Sequence, residues 1–304
     1  MKARAWPRNP FDRGSYAIGI ALALLIFALF MPTVNVPRNT FDHIVVFDIS
    51  QSMNVEDYEM NGSPVSRLSY ARNAARRALR TLPCGSRVGW AAFTGYRTML
   101  LLAPVEVCAN YNDLLSSLDR IDGRMRWSEA SEVSKGVYWS VRAAQETQAT
   151  PNVIFLTDGQ EAPPLDLDYP SPLLAELKGS LIRGYLIGTG GYAASPIPKF
   201  DSEGRRQGYW RSYEVIQAPS TDAGSGARVV AEHLSGLREA YLQALAKRVG
   251  FEYLRLADEG SLSAAMKDPR LARRRPVPAD LYWLPAALAL LLLATRFWPN
   301  ARRN

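Results

Sequence analysis

Three oxygen-bearing side chains follow an apolar strand near the start of the chain. Residues 43–47 read His-Ile-Val-Val-Phe, a run typical of a buried parallel strand, and Asp48, Ser50 and Ser52 come directly after it. Open α/β sheets bind ligands at the carboxyl edge of their strands. Carboxylate and hydroxyl oxygens suit a hard divalent cation such as Mg²⁺, Ca²⁺ or Mn²⁺, not zinc or copper. A capped turn that leads into a helix is the alternative explanation of this D-x-S-x-S spacing.

A second apolar strand also ends in a carboxylate. Residues 152–156 read Asn-Val-Ile-Phe-Leu, and the Thr-Asp-Gly that follows places Asp158 at the end of this strand. The carboxyl ends of parallel strands lie on one edge of a sheet. Asp48 and Asp158 are therefore expected to converge if their strands are neighbours.

A further hydroxyl is available just before a predicted helix at 134–148. The segment 128–131 reads Ser-Glu-Ala-Ser, and a hydroxyl there would face the same edge of the sheet. The alternative is that Ser131 or Ser134 caps the helix and that the neighbouring glutamate is a surface residue.

Strands and helices alternate along the chain, which predicts a doubly wound, mainly parallel sheet. Residues 53–66 are polar and predict a loop, and 199–208 predict a small hairpin outside the sheet. One helix, 67–82, has alanines and leucines on one face and arginines on the other. The predicted helices are 67–82, 112–118, 134–148, 237–249 and 261–266, and the predicted strands are 43–47, 86–93, 98–103, 152–156, 180–187 and 251–256.

The two cysteines flank a predicted hairpin. The apolar runs 86–93 and 98–103 are separated by Thr-Gly-Tyr-Arg, a hairpin signal whose centre, Tyr96, is midway between Cys84 and Cys108. An antiparallel hairpin folded there brings the two cysteines side by side at its open end. A disulfide between them would fit an oxidising compartment, and the alternative is two reduced thiols packed as small apolar residues.

Both ends of the chain carry apolar segments, which are uncharged over 15–36 and 281–295. Residues 15–36 are long enough for a helix that crosses a bilayer, and no small-residue cleavage site follows, so a retained anchor is favoured over a signal peptide. Residues 281–298 form a second, shorter candidate span with aromatic residues at its ends, for which a buried amphipathic tail is the alternative. The predicted organisation is a basic cytoplasmic tail at 1–14, transmembrane helices at 15–36 and 281–298, one domain at 41–266, a basic linker at 267–280 and a cytoplasmic tail at 299–304.

The positive charge of the chain is concentrated at its ends. The formal net charge is +7, and residues 1–14 and 270–304 together carry +9, which leaves −2 for the remainder. A body with this charge is not expected to bind nucleic acid. The excess of arginine and lysine before the first span predicts a cytoplasmic amino terminus, and therefore an inner-membrane protein whose soluble domain lies in the periplasm. The arginines at 273–275 conflict with this orientation.

The three motifs together resemble the metal-ion-dependent adhesion site of von Willebrand factor type A domains. The resemblance covers roughly 41–266 and implies a Rossmann-like α/β fold, whose doubly wound, mainly parallel six-stranded sheet has one antiparallel edge strand. It implies a bound Mg²⁺, or Ca²⁺ or Mn²⁺, whose sixth position is completed by an aspartate or glutamate of a protein partner. The residues that it implies as metal ligands or as aspartates near the metal are Asp48, Ser50, Ser52, Ser131 and Asp158, with Ser128 as the alternative to Ser131.

A narrower resemblance is to bacterial type A proteins anchored in the membrane at both ends. The segments 82–89, 103–110 and 156–164 are similar to those of proteins encoded with periplasmic, quinone-dependent methanol dehydrogenase. This similarity implies a role in the maturation of that enzyme by calcium insertion, with the apo-enzyme or another maturation factor as the partner. The alternative is a Bat-type membrane scaffold in an envelope stress or chaperone-ATPase complex.

Catalysis is not expected of this chain. No G-x-S-x-G motif is present, and neither His43 nor His233 lies in a cluster that would provide a base or a metal site. The sequence therefore predicts a binding protein, not an enzyme.

Overall fold

The computed structural model describes residues 13–164, 171–177, 179–201, 203–217 and 231–297. These residues belong to two units. The larger unit is Asn39–Arg274, and the smaller comprises the described residues of Met1–Arg38 and Arg275–Asn304. The predicted cytoplasmic tail at 299–304, and all but the last two residues of the predicted tail at 1–14, lie outside the described residues.

Fourteen strands and seven α-helices occur in the described residues. The strands are β1 (Val34–Thr40), β2 (Asp42–Asp48), β3 (Tyr58–Met60), β4 (Ser63–Val65), β5 (Arg87–Thr94), β6 (Arg97–Glu106), β7 (Asn152–Thr157), β8 (Gly184–Gly188), β9 (Ser195–Pro196), β10 (Pro198–Phe200), β11 (Arg206–Tyr209), β12 (Leu234–Ser235), β13 (Glu252–Arg255) and β14 (Arg273–Ala279). The helices are α1 (Arg13–Leu29), α2 (Arg67–Thr81), α3 (Tyr111–Asp119), α4 (Val133–Glu146), α5 (Glu239–Val249), α6 (Ser261–Met266) and α7 (Trp283–Phe297).

A six-stranded sheet forms the centre of the larger unit. Its strand order is β13-β8-β7-β2-β5-β6, and all neighbours are parallel except β5 and β6, which pair as an antiparallel hairpin. This confirms the predicted sheet and its antiparallel edge strand. The strands β2 and β7 are buried along their whole length, as expected of central strands that are covered on both faces.

Two apolar cores lie on the two faces of this sheet. Along β2, the side chains of Val45 and Phe47 pack into the core that includes α2, α3 and α6. The alternate residues Ile44 and Val46 pack into the other core, with α4 and α5. This two-residue alternation is the expected consequence of strand geometry, and it holds both carboxyl-terminal loops of the central strands in fixed positions.

The predicted loop at 53–66 instead contains the hairpin β3–β4. Asn61 and Gly62 form its turn with φ values of 53° and 76°. An Asn-Gly pair with two positive φ values is the preferred two-residue hairpin turn. The prediction of a loop was wrong because this short signal is flanked by polar residues and not by an apolar alternation.

A disulfide joins Cys84 and Cys108, whose Cα atoms are 5.3 Å apart, so this prediction is confirmed. The bond closes a segment with a sequence separation of 24 residues at the open end of the β5–β6 hairpin. We expect the double variant Cys84→Ser, Cys108→Ser to lose about 3 kcal/mol of unfolding free energy, because the unfolded chain gains conformational entropy. Urea denaturation measures this loss. Wild-type protein treated with a reductant is the control, and an unchanged midpoint in both samples would contradict the expectation.

The smaller unit contains α1, α7 and most residues of the paired strands β1 and β14. The predicted transmembrane helix at 15–36 is in part a strand, and the predicted linker at 267–280 contains β14. Within the described parts of the chain, no helix combines the length and the apolar character needed to cross a membrane. The helices α1 and α7 have 17 and 15 residues, whereas a transmembrane helix needs about 20.

Candidate functional site

Asp48 lies at the carboxyl end of β2, fully buried beside the end of β7. The backbone N–H of Ser50 donates a hydrogen bond to its Oδ1 over 2.8 Å, which forms the turn that leads out of the strand. The hydroxyl of Thr157, the last residue of β7, donates to its Oδ2 over 2.7 Å. Since β2 and β7 are neighbours, with Phe47 opposite Leu156, the two carboxylate-bearing loops meet at one edge as the sequence indicated.

The two loop serines lie close together after this turn. The Oγ atoms of Ser50 and Ser52 are 3.1 Å apart. Ser50 precedes a 3-10 helix, Gln51–Asn54, but its side chain makes no capping hydrogen bond. The alternative of a capped turn applies to Asp48, which accepts the Ser50 N–H ahead of this helix, whereas the Ser50 hydroxyl lies against that of Ser52.

Ser131 is held between the loops that follow β5 and β7. Its backbone N–H donates to the carbonyl of Ala162 over 2.7 Å, and the Ala162 N–H donates back over 2.8 Å. On the other side it forms a bridge with Gly95. Its buried Oγ has no hydrogen-bond partner among the described residues. The alternative that Ser131 caps α4 is wrong, because the N-cap residue is Glu132 and its side chain makes no capping bond.

Ser128, the alternative to Ser131, has a local role. Its Oγ accepts a hydrogen bond from the backbone N–H of Ala130 over 3.1 Å. Its carbonyl accepts one from the hydroxyl of Thr94 over 3.0 Å. Only Ser131 combines burial with an unused hydroxyl, so the geometry favours Ser131 of the two.

Asp158 is fully buried against a basic side chain that the sequence did not reveal. Its Oδ2 accepts hydrogen bonds from Arg67 Nη1 over 2.7 Å and from the Ser235 hydroxyl over 3.0 Å. Its Oδ1 accepts one from the backbone N–H of Gln160 over 3.0 Å. The following Gly159 has a φ of 78°, and a Cβ atom there would lie 2.9 Å from Leu242 Cγ, so only glycine fits this turn.

Arg67 is fully buried, although the sequence placed the arginines of α2 on an exposed face. Its guanidinium donates to both carboxylate oxygens of Asp57 over 2.6–3.0 Å as well as to Asp158. Asp57 in turn accepts the Gly191 N–H over 2.8 Å. A Cβ atom on Gly190 would lie 2.6 Å from Arg67 Nε, so glycine leaves the room that the guanidinium occupies. A signal was present, since a cation in the first turn of a helix opposes the helix dipole and calls for a specific anion.

The two buried aspartates, Asp48 and Asp158, differ in whether a basic side chain lies beside them. Burial, and next the charge of Asp158, raise the pKa of Asp48 from 3.8 to about 7. Burial would lower the pKa of Arg67, but the neighbouring Asp158 and Asp57 outweigh it and hold that pKa above its usual value. Within the described residues Asp48 has no ion-pair partner, whereas Asp158 shares Arg67 with Asp57. The site therefore has one buried carboxylate, Asp48, without a cationic side chain beside it among the described residues.

A cleft of about 310 Å³ opens at this edge, and the three serines line it. Its other polar residues include Gln160 and Glu161, which follow Asp158. Glu161 accepts hydrogen bonds from Tyr241 and, over 2.9 Å, from the Val133 N–H. Burial raises the pKa of Glu161 to about 8. Further residues that line the cleft are Gln51, Glu129, Ala130, Ala162, Pro163, Pro164, Ile197, Trp210, Glu214, Val215, Ile216 and Glu232.

The donor set fits a hard divalent cation that is held mainly by neutral oxygens. No group of three or more histidine, cysteine, aspartate and glutamate side chains suited to a metal occurs in the part of the chain that the structure describes. A metal here would therefore depend on hydroxyl ligands, and the unused Oγ of Ser131 and the unneutralised charge of Asp48 are compatible with that role. Arg67 already supplies one positive charge to Asp158, which lowers the demand of the site for a cation.

Comparison with known proteins agrees with this fold. Residues 43–160 match the family profile described as von Willebrand factor type A domain. A "UPF0353 protein" of Mycobacterium bovis is 25% identical over 252 residues, which cover 79% of this chain and 70% of that protein. An aerotolerance-related membrane protein from Bacteroides fragilis has a TM-score of 0.55 at 19% identity, covering 74% of this chain and 96% of that one. The hypothetical protein BatB from Bacteroides thetaiotaomicron has a TM-score of 0.53 at 21% identity, covering 74% and 94%. These two structures share the fold of the chain.

Proposed function

We propose, from the premise that this chain carries a von Willebrand factor type A domain, that the domain binds a protein partner through a divalent cation. Ser50, Ser52 and Ser131 would hold the ion, with Asp48 and Asp158 as its nearby carboxylates. When bound, the ion supplies an electrophilic position that an aspartate or glutamate of the partner completes. We propose Mg²⁺, with Ca²⁺ or Mn²⁺ as the alternatives.

The single observation that supports this proposal best is the buried carboxylate of Asp48. It lies at the edge of the sheet, close enough to Asp158 for the two charges to interact, and no cation among the described residues pairs with it. A buried charge without a partner is costly unless a proton or a metal ion neutralises it. The hydroxyls of Ser50 and Ser52 lie next to it in sequence and provide oxygens for such an ion.

We propose binding and not catalysis. His43 is buried, and its Nε2 lies 2.8 Å from the Met266 carbonyl, which gives this histidine a structural contact away from the cleft. Burial lowers its pKa to about 4. Glu161 lines the cleft and carries a raised pKa, but its hydrogen bonds to Tyr241 and Val133 give it a role in the loop structure.

Two biological roles are compatible with partner binding. The sequence resemblance to MxaL of methanol dehydrogenase gene clusters supports a role in calcium insertion into the periplasmic, quinone-dependent enzyme. The fold likeness to BatB supports the second role, a Bat-type scaffold in an envelope complex. Immobilised wild-type protein in Mg²⁺ should retain the purified apo-dehydrogenase if the first role holds, and should release it in EDTA. Equal retention by an Asp48→Ala variant would reject metal-mediated capture.

Attachment to the inner membrane with the larger unit in the periplasm is part of the same proposal. The similar protein from Bacteroides fragilis is described as a membrane protein, and the disulfide fits an oxidising compartment. Fractionation of cells that express the full chain, followed by protease treatment of spheroplasts, tests both points. Digestion of the larger unit only after lysis would contradict the periplasmic location.

The two candidate loop serines provide a matched test of the cation site. We expect Ser131→Ala to weaken Mn²⁺ binding at least ten-fold, because the hydroxyl without a protein partner is lost. Ser128→Ala should stay within about two-fold, since that hydroxyl already serves the Ala130 N–H. Isothermal titration with the full chain measures both affinities. A larger loss of affinity for Ser128→Ala than for Ser131→Ala would show that Ser128, and not Ser131, is the ligand. No Mn²⁺ binding by the wild type would reject the cation site.

A further inference from the structure

Three buried polar atoms that lack a hydrogen-bond partner belong to residues that line the cleft. Among the described residues these are Ser131 Oγ, Gln160 Oε1 and Trp210 Nε1. A buried polar group without a partner is unfavourable, so each one in a native structure calls for an explanation. Ser131 is already assigned to the cation, and the other two atoms are left for a different ligand.

The hydrogen bonds of Gln160 fix which of its side-chain atoms is the acceptor. Its Nε2 donates to the backbone carbonyls of Glu232 over 3.0 Å and Leu234 over 3.4 Å. A flipped amide would turn its oxygen toward these two oxygens, which is unfavourable. Oε1 is therefore an acceptor that needs a donor, and Trp210 Nε1 is a donor that needs an acceptor.

We propose that the cleft binds an extended peptide segment of the partner, next to the acidic residue that the cation captures. A peptide group offers one N–H and one C=O, which match the needs of Gln160 Oε1 and Trp210 Nε1. This inference rests on the proposed function, because the same segment supplies the acidic residue. Because both atoms are buried in the structure described here, the segment can reach them only if the two side chains rotate.

The remaining walls of the cleft define the residues that flank the acidic one. Its apolar surface comes from Ala162, Pro163, Pro164, Ile197, Val215 and Ile216. Three of its glutamates, Glu129, Glu214 and Glu232, pair with arginine or lysine side chains, and the pKa of Glu161 is raised to about 8. Apolar flanking residues are therefore complementary to the cleft, whereas charged ones would lose their hydration there. A purely apolar ligand would leave the orphaned polar atoms of Gln160 and Trp210 unsatisfied.

The test uses the ¹⁵N-labelled full chain in Mg²⁺ with three probes. The probes are acetyl-Leu-Asp-Lys-amide, acetyl-Glu-Asp-Glu-amide and acetate, which offers the carboxylate alone. We expect the indole N–H signal of Trp210, assigned with Trp210→Phe, to move with the first peptide and not with acetate. The first peptide should bind at least ten-fold tighter than the second, because its leucine can be buried against the apolar walls, whereas a glutamate there would lose its hydration.

Two tryptophan variants separate the peptide contact from the cation. Trp210→Phe removes one hydrogen-bond donor, so affinity for acetyl-Leu-Asp-Lys-amide should fall about five-fold while Mg²⁺ affinity is unchanged. Trp139→Phe is the matched control, since Trp139 lies on α4 and does not line the cleft. If Trp210→Phe is unstable, assignment of the indole signals of wild type from nuclear Overhauser spectra keeps the chemical-shift test valid.

The outcomes distinguish this inference from the function on which it rests. If Mg²⁺ captures acetate but the Trp210 signal does not move with either peptide, the peptide cleft is wrong and the cation site stands. If the signal moves equally in Mg²⁺ and in EDTA, the cleft binds peptides and the metal-dependent function is wrong. Equal affinity for the two peptides overturns the assignment of flanking residues.

Discussion

Replacing Arg67 with methionine should lower the free energy of unfolding by about 3–5 kcal/mol, the cost of removing one partner from a buried ion pair. The substitution leaves Asp158 fully buried without its cation, and Asp57 loses the guanidinium that lies 2.6 Å away. It also removes the bonds from Arg67 to the hydroxyl and carbonyl of Ser235, over 2.7 and 3.1 Å. Guanidinium chloride denaturation of the full chain, followed by circular dichroism, measures the loss.

Arg77→Met is the matched control on the same helix. Its side chain is 53% exposed and pairs with Glu259 over 2.8 Å, so its loss should cost no more than about 1 kcal/mol. A second variant, Arg67→Met with Asp158→Asn, should recover part of the stability, because the unpaired charge is removed as well. Equal stabilities of Arg67→Met and Arg77→Met would show that the buried cluster does not stabilise the fold.

The central sheet could be predicted because its strands are marked by local patterns. The runs 44–47 and 153–156 are apolar throughout, as is typical of strands covered on both faces. The hairpin was predicted from the apolar runs 86–93 and 98–103 around a turn centred on Tyr96, and the pairing of the cysteines was predicted from its geometry. The strand β8 was predicted too long, starting at 180, because the apolar Leu181 and Ile182 precede it outside the sheet.

The carboxylates and hydroxyls of the candidate site were predicted from the sequence, but its buried arginine, Arg67, was not. Asp48 and Asp158 come at the ends of recognisable strands, so topology alone brings them together. Arg67 is distant from both in sequence, and its helix has other arginines that are exposed. The position of its side chain depends on Asp57 and on the space beside Gly190, which are tertiary features. The helical period places Arg67 on the buried face with Ala71 and Ala74, but it does not reveal which anions the guanidinium meets there.

The ends of the chain show how composition can conflict with local structure. Residues 15–36 lack charge, which predicted one long helix, but α1 ends at Leu29 and the strand β1 begins at Val34. Pro32 and Pro37 lie in this region, and proline disfavours the interior of a helix. The arginines at 273–275 predicted a linker, but the alternation of exposed and less exposed residues along β14 is that of a strand.

The second large effect that we expect is a loss of folding stability as the pH rises, which a bound divalent cation offsets. The pKa of Asp48 is raised from 3.8 to about 7 in the folded state, chiefly by burial. A carboxyl whose folded pKa is raised contributes stability below its unfolded pKa, and this contribution is lost as pH rises through the folded value. In EDTA, Asp48 should therefore make the protein about 2–3 kcal/mol less stable at pH 8 than at pH 5.

Other groups also titrate in this range, so the difference between wild type and Asp48→Asn is the informative quantity. Glu161, with a pKa of about 8, acts in the same direction as Asp48. His43, with a pKa lowered to about 4, acts in the opposite direction, since its contribution is present above its unfolded value of 6.5 and lost as pH falls through 4. Asp48→Asn leaves both of these in place, and Asp119→Asn, at an exposed position, is the control for the loss of one carboxylate.

A cation and a proton are alternative ways to neutralise Asp48, and this gives the experiment its second arm. At pH 8, Mg²⁺ at about 100 times its dissociation constant should raise the unfolding free energy of wild type by about 2.7 kcal/mol. At pH 5 the gain should be smaller, because the ion must displace the proton. Asp48→Asn should show neither the extra loss at pH 8 nor the gain with Mg²⁺, whereas Asp119→Asn should show both. If wild type and Asp48→Asn respond identically to pH and to Mg²⁺, Asp48 is not the charge that a cation neutralises.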